Sequence, residues 1–194
     1  MDNDLLSPLS IEPQSILYRD RNHVVQKIVA RFPDFSKEYF VSRFGERIGV
    51  VLLRAGAVLL VRQYRLFLNA LSWEIPGGGL DHKESPKAGA RRECREEAGI
   101  VCRGLIPLVT YHPGLDTLWN PTHLFCCRDF EERPHAPRRG EVTERAWVPL
   151  ASAMDMIRRG EILDSMSLVA LLAVGARLHE PLTEGARATR EASD

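Results

Sequence analysis

The residues Glu93, Glu96 and Glu97 recur at a spacing that puts side chains on one face of an α-helix, so they project as a single anionic group. Each like-charged pair at that spacing costs roughly 0.2–0.5 kcal/mol, and a position near a helix C-terminus adds up to about 1 kcal/mol against negative charge. Folding alone does not ask for this. A solvated face whose charges pair with Arg91, Arg92 and Arg95 is one account of it. The other starts from Gly77-Gly78-Gly79 just upstream, entered through Pro76, whose backbone can approach a ligand closely because no side chains intervene. A loop exposing carbonyls beside a helix exposing carboxylates is a set of hard oxygen donors suited to Mg²⁺ or Mn²⁺, and such a cation would relieve the repulsion.

The elements that must hold this group are well signalled. Ser85 reads as an N-cap with Pro86 at the first helical position, and Gly99 stops the helix after Ala98. Residues 15–18, 23–32, 37–44, 48–53 and 57–63 read as strands, with turn chemistry in Phe32-Pro-Asp-Phe35 and Arg54-Ala-Gly56; residues 105–111, 123–130 and 143–148 continue the pattern. A second helix starts near Leu150 and pauses at Gly160, and residues 165–178 form a third. Strands before, between and after helices predict an α+β domain in which helices cover a mixed sheet. Residues 1–14 and 180–194 lack periodicity and are expected to fray as flexible termini.

At 194 residues the chain suits one domain with short appendages. Its 26 basic and 26 acidic side chains leave no net charge to attract nucleic acid or an anionic membrane. Cys94, Cys102, Cys126 and Cys127 match neither a zinc-ligand spacing nor a secreted disulfide framework, and read as free buried thiols. The N-terminal stretch is acidic where a signal peptide is basic, and no apolar run approaches the roughly 18 residues of a membrane span. These features predict a soluble, cytoplasmic protein.

From Gly78 the chain follows Gly-x5-Glu-x7-Arg-Glu-U-x-Glu-Glu-x-Gly-U, U being a bulky aliphatic residue, with Gly78, Glu84, Arg92, Glu93, Glu96, Glu97, Gly99 and Ile100 in place. This resembles the signature of the Nudix hydrolases. Cys94 stands at the first U position, where it packs as a small hydrophobe. The resemblance implies an α/β/α sandwich, with Glu93 and Glu97 as the principal ligands of Mg²⁺, Glu96 a ligand or a holder of bound water, and the Gly77 carbonyl a further ligand. Arg92 and Glu84 would form a structural pair between loop and helix. Family members cleave a nucleoside diphosphate linked to another moiety.

The flanks are similar to the ADP-ribose and nucleotide-sugar pyrophosphatases. Leu60-Val-Arg-Gln-Tyr-Arg65 and Trp73-Glu-Ile-Pro76 resemble that subgroup's strand and approach loop, making Arg62, Arg65, Trp73 and Glu74 candidate substrate residues. Arg62 or Arg65 would hold a phosphate or pair with Glu74. Tyr111-His-Pro-Gly114 resembles the subgroup's Ser-Pro-Gly turn, with His112 in place of serine and Asp116 as the nearest acid; Trp119 would stack on a base or sugar, or pack locally. By alignment on Trp147, Glu141 takes the place of a loop glutamate that helps activate water, against the alternative of an exposed loop charge. The implied organisation is a Nudix domain over residues 48–179, preceded by antiparallel strands over 15–47 that pair two subunits. Phe32, Phe35, Tyr39 and Phe40 are then candidates for the homodimer interface or for base stacking. The implied reaction is Mg²⁺-dependent conversion of ADP-ribose or an NDP-sugar to a nucleoside monophosphate and a sugar phosphate. GDP-mannose, CDP-alcohols and a non-catalytic sensor of nucleotide sugars are the alternatives.

Overall fold

The computed structural model describes residues 7–134 and 142–177. In chain order its elements are β1 (Ser10–Arg19), β2 (Val24–Arg31), β3 (Ser36–Arg43), β4 (Arg47–Arg54), β5 (Ala57–Arg65), β6 (Ala70–Glu74), β7 (Gly77–Gly79), α1 (Pro86–Ala98), β8 (Ile100–Cys102), β9 (Ile106–Tyr111), β10 (Leu118–Trp119), β11 (Thr122–Cys127), β12 (Phe130–Glu132), β13 (Val142–Pro149), α2 (Leu150–Arg158) and α3 (Ser165–Arg177).

These form two compact units. Residues 7–47 join Tyr111–Thr122 in the first, and the other described residues form the second. In the first unit a four-stranded sheet runs β1-β2-β3-β10. Its β1 begins at Ser10, so residues 10–13, within the stretch expected to fray, instead pair with β2, from Ser10 opposite Arg31 to Pro13 opposite Ile28. The segment 111–122, assigned by sequence to the later domain, belongs here because β10 pairs in parallel with β3. Trp119 lies on that edge strand beneath Arg43, whose guanidinium is 4.6 Å from the ring centroid.

The second unit is built on a seven-stranded sheet of order β13-β5-β4-β11-β9, with β6 added to β5 and β7 to β4. Strand β4 is buried without interruption from Ile48 to Leu53, which is why Ile-Gly-Val-Val-Leu-Leu reads as an apolar run without alternation. A two-residue turn, Ala55 (φ 48°) and Gly56 (φ 78°), joins β4 to β5 with both residues left-handed, the geometry that matches strand twist in a tight hairpin. Against this sheet packs α1, with Ala90, Cys94 and Ala98 in one core cluster with Ile48, Val50, Leu52, Leu59 and Val61.

Helix α1 has the limits its sequence predicts. Ser85 Oγ accepts from the Ala88 N–H at 3.3 Å, and Gly99 (φ 66°) donates its N–H back to the Arg95 and Cys94 carbonyls. A further cap comes from β13, where Arg145 Nη1 donates to the Ala98 carbonyl, putting positive charge at the end of the helix where the glutamates gather. All four cysteines are free and buried. Burial pushes the Cys126 thiol up to about 11, so it packs as a hydrophobe and not as a nucleophile. Helix α3 is tied to the segment before β7: Ser167 Oγ accepts from the Ile75 N–H at 2.9 Å and donates to Asp164 Oδ2 at 2.9 Å. No helix among the described residues is long and apolar enough to cross a membrane.

Candidate active site

Strand β7 brings the glycines to α1. Gly77 to Gly79 are a short strand on β4 and not the free loop their composition suggests. A Cβ on Gly77 would lie 2.3 Å from the Ile48 carbonyl oxygen and 2.9 Å from the Gly49 Cα, so only glycine permits this approach. One residue on, a Cβ on Gly78 would lie 2.4 Å from Glu93 Oε1. The Glu93 carboxylate thus occupies the place that a side chain at 78 would take, and packs there against bare backbone.

Arg92 organises one half of the site. Its Nε and Nη2 contact both oxygens of Glu84 at 2.9–3.3 Å, Nη2 also donates to the Gly79 carbonyl at 2.9 Å, and Nη1 donates to Glu93 Oε1 at 2.7 Å and Glu96 Oε2 at 3.4 Å. The hydrogen bond from Arg92 holds the Glu84 carboxyl below its ordinary range. Glu93 goes the other way. Burial raises it, and the Arg92 contact offsets only part of that cost.

Glu97 is held differently. It is buried, with Oε2 accepting from the Gly77 N–H at 2.8 Å and Oε1 from Gln63 Nε2 at 2.7 Å. Neither donor carries charge, and loss of solvation pushes the carboxyl up to about 7. The carboxylate thus pins β7 to α1 through neutral donors, and the charge of Arg65 nearby offsets only part of the cost of burial.

Among the described residues, no three His, Cys, Asp or Glu side chains are gathered closely enough to hold a metal ion as they stand. Glu93 and Glu96 turn to Arg92, and Glu97 turns to Gly77 and Gln63. The donor set still fits a hard divalent cation. It is all oxygen, it includes two buried or largely buried carboxylates raised by desolvation, and glycine at 78 lets the Glu93 carboxylate lie against the backbone of β7.

The flanking candidates divide. Arg65 Nε donates to Glu74 Oε1 at 2.7 Å and its Nη2 closes on the other oxygen, so this arginine ties β5 to the end of β6. Arg62 ion-pairs with Glu144 at 3.3 Å and lies 5.4 Å from the Trp73 ring centroid. Trp119, in the other unit, lines a cavity of about 340 Å³ with His112 and Asp116. Glu141 lies outside the described residues. Gln63 is a residue of this site that the motif around it does not single out. Its signal is a glutamine in phase with Leu59 and Val61, both core residues of the same strand.

Compared with known proteins, the chain matches the NUDIX domain over residues 43–166, and it belongs to the Nudix hydrolase family, enzymes that act on pyrophosphate bonds. Within the family its likeness is to the ADP-ribose pyrophosphatase subgroup. It is 31% identical over 139 residues to an ADP-ribose pyrophosphatase of Mycobacterium tuberculosis, covering 70% of this chain and 67% of that one. It is 30% identical over 138 residues, 71% of this chain and 67% of the other, to a CMP-5'-(N-acetyl-N-hydroxy-3-aminopropyl)phosphonate hydrolase of Streptomyces rubellomurinus. A crystal structure of an ADP compounds hydrolase superposes with a TM-score of 0.74 at 19% identity, over 89% of this chain and 94% of that one, a likeness of fold.

Proposed function

We propose that the protein uses Mg²⁺, with Mn²⁺ as a substitute, to hydrolyse the pyrophosphate of ADP-ribose or a related NDP-sugar, giving a nucleoside monophosphate and a sugar phosphate. The observation that carries this reading is Glu97, a buried carboxylate with only neutral donors, beside Glu93 and Glu96 on the helix that follows the glycine strand. Glu93, Glu96, Glu97 and the Gly77 carbonyl would hold the metal, which when bound neutralises phosphate charge and lowers the pKa of water. Arg92 and Glu84 keep α1 and β7 in register. Arg65 and Glu74 keep the approach loop in place, and Arg62 with Trp73 offers a cation and a ring to the substrate. In the reaction a water oxygen bonds to one phosphorus, the bridging P–O bond breaks, and the water's proton passes to a base for which Glu141 is the candidate.

CMP-linked compounds are the second reading, favoured by the similarity to the Streptomyces enzyme. A cytoplasmic homodimer is part of the proposal. Phe35 and Phe40 are 59% and 53% exposed in the first unit, which suits burial against a second copy. The test is incubation with ADP-ribose, ADP-glucose, GDP-mannose, UDP-glucose and CDP-choline, each with Mg²⁺ or EDTA, and with Glu97→Gln as control. Metal-dependent release of a nucleoside monophosphate from one of them supports the reading and selects the nucleotide. Tight binding without release would replace the enzyme by a sensor.

A further inference from the structure

We infer that Gln63 is a positioning residue for Glu97: its neutral amide fixes the carboxylate without spending the charge that the divalent cation needs. The inference rests on the metal-site reading above. Gln63 sits on β5 with Val142 of β13 opposite on one side and Ser72 of β6 on the other, so its backbone is held by two neighbouring strands. The residue is only 7% exposed and shares its face of the strand with Leu59 and Val61. A buried amide there requires a partner, and Glu97 Oε1 is that partner at 2.7 Å. The amide orientation follows from chemistry: with oxygen and nitrogen exchanged, two oxygens would face each other at that distance.

The arrangement is selective in charge as well as direction. A carboxylate has about four acceptor sites. Gln63 and the Gly77 N–H occupy one on each oxygen of Glu97, leaving one on each available. Glu93 and Glu96, by contrast, share the fixed positive charge of Arg92. A lysine or arginine at position 63 would orient Glu97 equally well and neutralise it.

That difference separates positioning from mere packing. Mn²⁺ affinity of the full chain is measured by the electron paramagnetic resonance of free Mn²⁺, with thermal melting as the control for folding. Gln63→Met keeps the volume and removes the donor, and its Mn²⁺ Kd should rise about 10- to 100-fold, as for other residues that orient metal ligands. Gln63→Lys restores a donor, so it should keep the melting temperature yet lose Mn²⁺ affinity at least as strongly. If Gln63→Met melts early, Gln63→Lys carries the test alone. A Kd within about twofold of the parent in either folded variant overturns the role of Gln63, provided that Glu97→Gln abolishes binding. If Glu97→Gln leaves Mn²⁺ binding unchanged, the metal-site reading fails and this inference with it.

Discussion

Arg65 closes on Glu74 across the β5–β6 hairpin, and the two ends of the pair differ in environment: the Glu74 side chain is 2% exposed, that of Arg65 39%. The pair is therefore asymmetric. Removing the arginine strands a buried carboxylate, whereas removing the glutamate frees a guanidinium that can reach water. Arg65→Met should cost about 3 kcal/mol, the low end for stripping one partner from a buried pair, and Glu74→Gln clearly less. Urea unfolding of both variants checks the order. Equal losses would show that the hairpin responds to lost packing alone.

Glu97→Gln should lower turnover by orders of magnitude while leaving the fold as stable or more stable. The substitution removes a buried charge and keeps an oxygen for one of the two donors, and the Gln63 amide can turn to serve the other. Steady-state kinetics and a thermal melt on the same preparation are sufficient. An inactive variant that also unfolds would assign Glu97 to architecture only.

The same carboxyl sets a pH dependence. Its folded-state pKa, about 7, stands above the ordinary 4.5, so the folded protein binds this proton more tightly than the unfolded chain does. The resulting stabilisation is complete below pH 4.5 and is lost as the pH rises through 7. Glu93, also raised by burial, acts with the same sign. In EDTA the denaturation midpoint should fall across this window, and Glu97→Gln should flatten the fall.

Adjacent glycines should fail in different ways. Gly77→Ala sets a methyl group against backbone, 2.3 Å from the Ile48 oxygen, and should cost about 3 kcal/mol or more, the upper range for overpacking. Gly78→Ala meets only the mobile end of Glu93, which can turn aside, so folding should survive while activity falls. Expression and melting of the two variants, followed by turnover of Gly78→Ala, test this contrast.

The sequence made α1 legible to the residue because its start and stop signals are chemical: a serine cap, a proline and a glycine. It concealed β7 for the opposite reason, since three glycines have no side-chain alternation to read. It also concealed β10, because two residues are too few to show a period and their partner strand is far away in sequence. The glutamate cluster was legible as a cluster. Which glutamate is paired with arginine and which with neutral donors was not, because Gln63 and Gly77 reach Glu97 only through the folded sheet. Which of Arg62 and Arg65 is the partner of Glu74 was not legible either, because only the β5–β6 pairing brings Glu74 beside Arg65.

Ser167 lies just beyond residue 166, where the match to the family ends. Its hydroxyl is nevertheless what the Ile75 N–H binds, two residues before the strand that faces the glutamates. A fragment trimmed to the family limits would thus keep every signature residue and still lose the clasp on the segment leading into them. Recombination points between homologues are better set after this helix than at its first turn.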